Sequence, residues 1–178
     1  MALKATIFRV ELQVSDLDRH HFATHALTLA RHPSETDERM MVRVLAFALD
    51  ADEALDFGRG LSSEHEPDLV QRDLTGAIQL WIEVGLPDER DLRKAAGRAA
   101  RVKVYTYGRG ATPWARDNAD ALARLDNVQV VNVERSAELA RWAARNMAMA
   151  CTIQDGRLYL SSAGESLEMS LGAPIYPG

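Results

Sequence analysis

The chain has 178 residues, 47% of them hydrophobic and 26% charged, with a formal net charge of −5. That length supports one sizeable core and favours a single domain over residues 1–178, and the composition excludes a disordered chain. The acidic balance argues against a protein that coats nucleic acid non-specifically, because such affinity comes from neutralising phosphates with many Lys and Arg.

No window approaches the run of apolar residues that a spanning helix needs. The start, Met1-Ala2-Leu3-Lys4-Ala5-Thr6, runs into an alternating strand pattern and not into a signal-peptide core. The expectation is a cytoplasmic protein without a membrane partner. Cys151, the single cysteine, leaves no internal disulfide and no cysteine-based zinc site, and its apolar surroundings predict a buried, inert thiol.

Residues 5–14 alternate Ile7, Arg9, Glu11 and Gln13 against Phe8, Val10, Leu12 and Val14, the period of a half-buried strand. Residues 22–29 continue similarly, and Ser15-Asp16-Leu17-Asp18 between them supplies the turn of a hairpin. Ser34, after Pro33, reads as the N-cap of a helix over about 35–50 with Asp37 in its first turn. A polar, glycine-containing stretch over 57–66 leads to strands at 68–73 and 78–84 joined around Thr75-Gly76. Then come a helix near 88–100, a strand at 102–107, a helix from Pro113 to before Asp126-Asn127, a β-branched strand at 128–133 and a helix near 136–146. A hairpin about Asp155-Gly156 closes the chain. The alternation of strand and helix in the middle predicts an α/β fold: a mixed central sheet flanked by helices, with an N-terminal and a C-terminal hairpin.

The chemistry is carried by Pro67-Asp68 and, fifteen residues on, Glu83. With a symmetric turn at Thr75-Gly76, Asp68 and Glu83 are cross-strand partners. Like charges so placed are destabilising unless a proton or a cation offsets them. Mg²⁺ suits the position, since it takes one or two carboxylates, keeps several waters and fills its other sites with substrate phosphate. That is the setting for phosphodiester hydrolysis. Glu38 lies on one helical row with Met41, Leu45 and Ala48 and brings a third acid to the buried stripe. Glu35 could complement the helix dipole or join the acids, and Ser34 lacks the surroundings of a nucleophile.

Ala30-Arg31-His32-Pro33-Ser34-Glu35-Thr36-Asp37-Glu38-Arg39-Met40-Met41, Glu66-Pro67-Asp68-Leu69 and Leu80-Trp81-Ile82-Glu83-Val84-Gly85 resemble the YaeQ family of small bacterial proteins, across essentially the whole chain. The resemblance implies a variant of the restriction-endonuclease-like, PD-(D/E)xK fold, in which a helix carries one acid and adjacent strands carry the Asp and the Asp/Glu-x-Lys. On matching positions these acids are Glu38, Asp68 and Glu83, with Mg²⁺ as the implied metal. The lysine position is Gly85, so the residue that orients water or stabilises charge on phosphate is displaced or lost. Lys103, on the next strand, is the preferred replacement, ahead of Lys94, and Gln79 could bond a metal water or pack beside Trp81.

Residues 90–109 hold seven basic side chains (Arg90, Arg93, Lys94, Arg98, Arg101, Lys103, Arg109) against one acid, Asp91, so they form either a solvated face or a patch for nucleic acid. His20, His21, His25 and His32 lie close in sequence, and His21 and His25 share a strand face, but no HExxH or cysteine completes a zinc site. Gly108-Arg109-Gly110 reads as a tight strand-to-helix turn or a phosphate cradle, without a full GxGxxG. The leading expectation is a Mg²⁺-dependent nuclease-like protein acting on or binding nucleic acid, with Glu38, Asp68 and Glu83 at the metal and Lys103 stabilising charge. The alternative is a non-catalytic binding or regulatory module, with nucleic acid or protein partners, that keeps the fold without the lysine.

Overall fold

The computed structural model describes residues 3–59 and 66–172. The glycine-containing stretch expected over 57–66 and the first residues of the chain therefore lie partly outside the described residues. The strands form two five-stranded sheets instead of the one central sheet expected.

In the first sheet, β1 (Thr6–Asp16) and β2 (His21–Arg31) make the expected antiparallel hairpin. β1 also pairs in parallel with β8 (Asn146–Gln154), which continues antiparallel into β9 (Arg157–Ser162) and β10 (Glu165–Ser170). The expected closing turn is there: Asp155 and Gly156 both take positive φ, 52° and 72°, as a two-residue hairpin loop demands. The second sheet runs β3 (Leu55–Phe57), β4 (Leu69–Arg72), β5 (Ile78–Val84), β6 (Ala99–Tyr107) and β7 (Val128–Val133). Its first three strands are antiparallel and its last three parallel.

Between the sheets runs α1 (Asp37–Leu49), every residue of which from Met40 to Leu49 is buried. A helix apolar around most of its circumference has to be covered on several sides, and two sheets do this. One continuous core joins Leu12 and Leu29 of the first sheet, Met41 and Leu45 of α1, and Leu80, Ile82 and Tyr105 of the second. On the other face of the second sheet, Trp81, Val104 and Val130 pack with Leu92 and Ala95 of α2 (Glu89–Arg98). The fold is thus a mixed α/β one, with two mixed sheets flanked by helices. No described helix is long and apolar enough to cross a membrane.

Three local expectations are corrected. The N-cap of α1 is Thr36, whose side chain accepts from Arg39 N at 3.1 Å, while the Ser34 hydroxyl pairs with His32 Nδ1 at 2.6 Å. Glu35 therefore precedes the helix, and its carboxylate turns inward to Arg43. The helix from Pro113 is two short ones, α3 (Ala111–Asp117) and α4 (Ala119–Leu122). The helix near 136–146 shrinks to α5 (Ser136–Ala140), and Met147, Met149 and Cys151 alternate inward from β8.

Candidate functional site

The β4–β5 register is the one the hairpin spacing predicts, Leu69↔Ile82, Val70↔Trp81 and Gln71↔Leu80, before a bulge at Arg72. Asp68 stands one residue outside β4, its N–H donating to Ile82 O at 2.8 Å. Its carboxylate is buried. Oδ2 accepts from Val84 N at 2.7 Å, and Oδ1 accepts from Arg39 Nη2 at 2.8 Å.

Glu83, half-buried nearby, accepts a bond from Trp81 Nε1 at 2.7 Å. Burial, and then the charge of Asp68, push its carboxyl from an ordinary 4.5 up to about 7, against the opposing pull of the Trp81 N–H and Arg39. The like-charge conflict read from the sequence is thus present between these two acids. Arg39 is the cation that partly relieves it. It reaches Asp68, the Val84 carbonyl at 3.1 Å and Glu35 at 3.0 Å. Burial opposes its charge, but Asp68 and Glu35 more than offset this, so its pKa is raised. Glu35 in turn holds the buried Arg43 through both oxygens at 2.8 Å.

Glu38 is not drawn into that pair. Its carboxylate accepts from Ser136 Oγ at 2.7 Å, and its charge acts on Tyr107, not on Glu83. Tyr107 lies at the end of β6, its phenol raised by burial and eased by Arg39 and a bond to Thr36.

Lys103 corrects an expectation. Parallel pairing sets Ile82 opposite Lys103 and Glu83 opposite Val104, so Lys103 shares a face with Ile82, and Glu83 lies on the other side of the sheet. Its ammonium pairs with Asp50 at the C-cap of α1, which also accepts from Tyr105 OH. It cannot serve Asp68 and Glu83. Gln79 is likewise elsewhere, donating to Asp73 Oδ2 at 2.9 Å in the hairpin turn. Gly85 sits at φ +116°, a backbone setting that a lysine would adopt only under strain.

Among the described residues no three His, Cys, Asp or Glu side chains converge as metal ligands. The two acids Asp68 and Glu83 nevertheless suit a hard divalent ion, which needs only one or two carboxylates and keeps waters. Each Asp68 oxygen retains a second lone pair beyond its present bond, and Glu83 is an acid whose ionised form lacks a strong counter-charge. Two carboxylates of this kind are within what a hard ion accepts, and with the side chains so placed Glu38 is not joined to them.

The basic segment divides. Arg90, Arg93, Lys94 and Arg98 are exposed on α2, whereas Lys103 faces α1. Arg98 stacks 5.3 Å over the Trp81 ring, the same ring whose N–H holds Glu83, so one end of the basic surface adjoins the acidic site. Sequence reasoning missed Arg39, Trp81, Tyr107 and Ser136. The spacing of Glu35, Arg39 and Arg43 at successive fourth positions was the readable signal for Arg39, but Tyr107 and Ser136 join the site through tertiary packing alone. Cys151 is buried as expected, its thiol pushed up to about 12 by burial and then by Asp16.

A family model described as YaeQ protein matches residues 1–171. The uncharacterized protein YaeQ of Salmonella typhi is 47% identical over 176 residues, and that of Escherichia coli K12 is 46% identical, each alignment covering 97% of both chains. The crystal structure of the YaeQ protein from Xanthomonas axonopodis pv. citri superposes with a TM-score of 0.90 at 45% identity, over 94% of this chain and 96% of that one. The YaeQ protein from Pseudomonas syringae gives 0.89 at 36% identity, over 94% of each chain. This chain belongs to the YaeQ family.

Proposed function

We propose that this protein is nuclease-like, of the restriction-endonuclease-like, PD-(D/E)xK kind, and acts on or binds nucleic acid at the Asp68–Glu83 site with Mg²⁺ held by these two carboxylates. The observation that carries the reading is Glu83, a half-buried acid raised to about 7 beside a second acid. Such a carboxyl is stabilised by a cation more than an exposed one is. Bound there, the metal would supply Lewis acidity toward a phosphate oxygen. Asp68 is held in place by Arg39 and the Val84 N–H, and Trp81 holds Glu83. Exposed Arg98 and its neighbours on α2 offer the charge that a phosphate backbone needs.

A second reading has its own support: a non-catalytic binding or regulatory module, of nucleic acid or protein. Position 85 is glycine, and Lys103 is bonded to Asp50 on the opposite face. Calorimetric titration with Mg²⁺ or Mn²⁺, on wild type and on Asp68→Ala/Glu83→Ala, combined with cleavage and binding assays on single- and double-stranded DNA and RNA, separates the two. Metal binding lost in the variant, with cleavage, supports the nuclease. Nucleic-acid binding with neither metal binding nor cleavage supports the module.

A further inference from the structure

On β2, two imidazoles meet head to head. His21 and His25 lie on the inward face of β2 with only the Ala23 methyl between them. Their rings are within 12° of parallel with centroids 5.3 Å apart, and the two Nε2 atoms are 3.0 Å apart. Those figures describe rings aimed at one another edge to edge. His25 is steadied by Phe47 of α1, whose ring meets it at 72° and 5.0 Å. The turn after α1 brings Asp52 and Glu53 to the same place, where together with His25, Asp56 and Phe57 they line an open cavity of about 550 Å³.

We propose that His21 and His25 form a binding site for a divalent transition cation of the imidazole-preferring class, Zn²⁺, Ni²⁺, Co²⁺ or Cu²⁺, with Asp52 and Glu53 supplying compensating charge and the cavity leaving its remaining positions open to water or ligand.

The distances suit this. Imidazole nitrogens bind Zn²⁺ at about 2.0–2.1 Å, so two on a tetrahedral ion stand about 3.3 Å apart; the pair has to open by a few tenths of an ångström, and each ring has to swing so that its Nε2 lone pair, now aimed at the other ring, points at the ion. Imidazole nitrogen selects this class of ions over Mg²⁺ and Ca²⁺, which take oxygen. As found, the pair can share one proton, one ring donating to the other. Binding the ion requires both rings to carry their proton on Nδ1, a change of tautomer in one ring with no net loss of a proton. Asp52 and Glu53 follow α1 in the chain and reach His25 of β2 only through tertiary packing.

The test uses the full chain without a histidine tag. Zn²⁺ and Ni²⁺ are titrated calorimetrically at pH 7.5, and Cu²⁺ is added for electron paramagnetic resonance. The expected results are one site per chain, two-nitrogen superhyperfine splitting, and affinity at least tenfold weaker in His21→Ala and in His25→Ala. His21→Gln and His25→Gln serve where alanine impairs folding, and Glu53→Gln weakens binding severalfold. Asp68→Ala/Glu83→Ala retains the binding, which separates this site from the acidic one. Affinity unchanged in both histidine variants, loss only in the Asp68/Glu83 variant, or no binding by wild type overturns the proposal.

Discussion

At the residue scale the site is a balance of three charges. Glu83 is an acid whose folded pKa lies above its unfolded one, about 7 against 4.5, because of burial first and Asp68 second. The folded state therefore binds more protons at Glu83 than the unfolded state between those values, so the contribution of Glu83 to stability is fully present below pH 4.5 and is lost as pH rises through 7. The size is on the order of 3 kcal/mol. Glu83→Gln removes this slope and is more stable than wild type at pH 8, which urea denaturation at several pH values measures. Arg39 works in the other direction. Arg39→Met leaves Asp68 and Glu35 without a shared guanidinium in a buried setting, and the expected loss is about 3 kcal/mol or more in the same assay. The acids were legible in the sequence because a hairpin fixes which residues oppose each other. Arg39 was hidden among residues assigned to the first turn of a helix, where the eye looks for caps and dipole partners.

At the element scale the two-residue period of a strand decides which side chains can meet. Lys103 was chosen because its strand neighbours β5, which it does, but a neighbouring strand offers two faces. The parallel register puts Lys103 on the α1 face with Ile82. Lys103→Ala is accordingly expected to leave divalent-metal binding at Asp68 and Glu83 unchanged within twofold by calorimetry. It should cost about 1–3 kcal/mol of stability, because Asp50 loses its ammonium and keeps only the Tyr105 hydroxyl. Restoring the motif lysine meets a backbone obstacle, since a side chain at φ +116° is strained. Gly85→Lys should lower stability by about 1–3 kcal/mol. Strands with strong β-branched character, β5 and β7, were read with their true limits. β8 was read only as an arm of the hairpin about Asp155-Gly156, without limits, and the helix before it was drawn to about 146 where α5 ends at Ala140.

At the scale of the whole molecule, the net charge of −5 means that any attraction for a phosphate backbone is local. On the proposed function its place is the exposed face of α2, where Arg98 stacks on Trp81 beside Glu83. Arg98→Ala should weaken binding of single-stranded DNA in fluorescence anisotropy, and it should reduce the log–log salt slope by about one phosphate contact. The division into two sheets was not legible. The parallel pairing of β1 with β8 joins segments more than a hundred residues apart, and local periodicity carries no trace of it. The alternating order of strands and helices gave the second sheet alone. The central claim, the proposal that Asp68 and Glu83 bind Mg²⁺, is tested most directly by following the Glu83 carboxyl carbon by nuclear magnetic resonance through a pH titration, with and without Mg²⁺, using Glu83→Gln for assignment. The account predicts a wild-type midpoint near 7 that falls by a unit or more when Mg²⁺ is added, and an Asp68→Asn midpoint that starts lower and does not respond to Mg²⁺. A midpoint that Mg²⁺ leaves unmoved in the wild-type protein contradicts it.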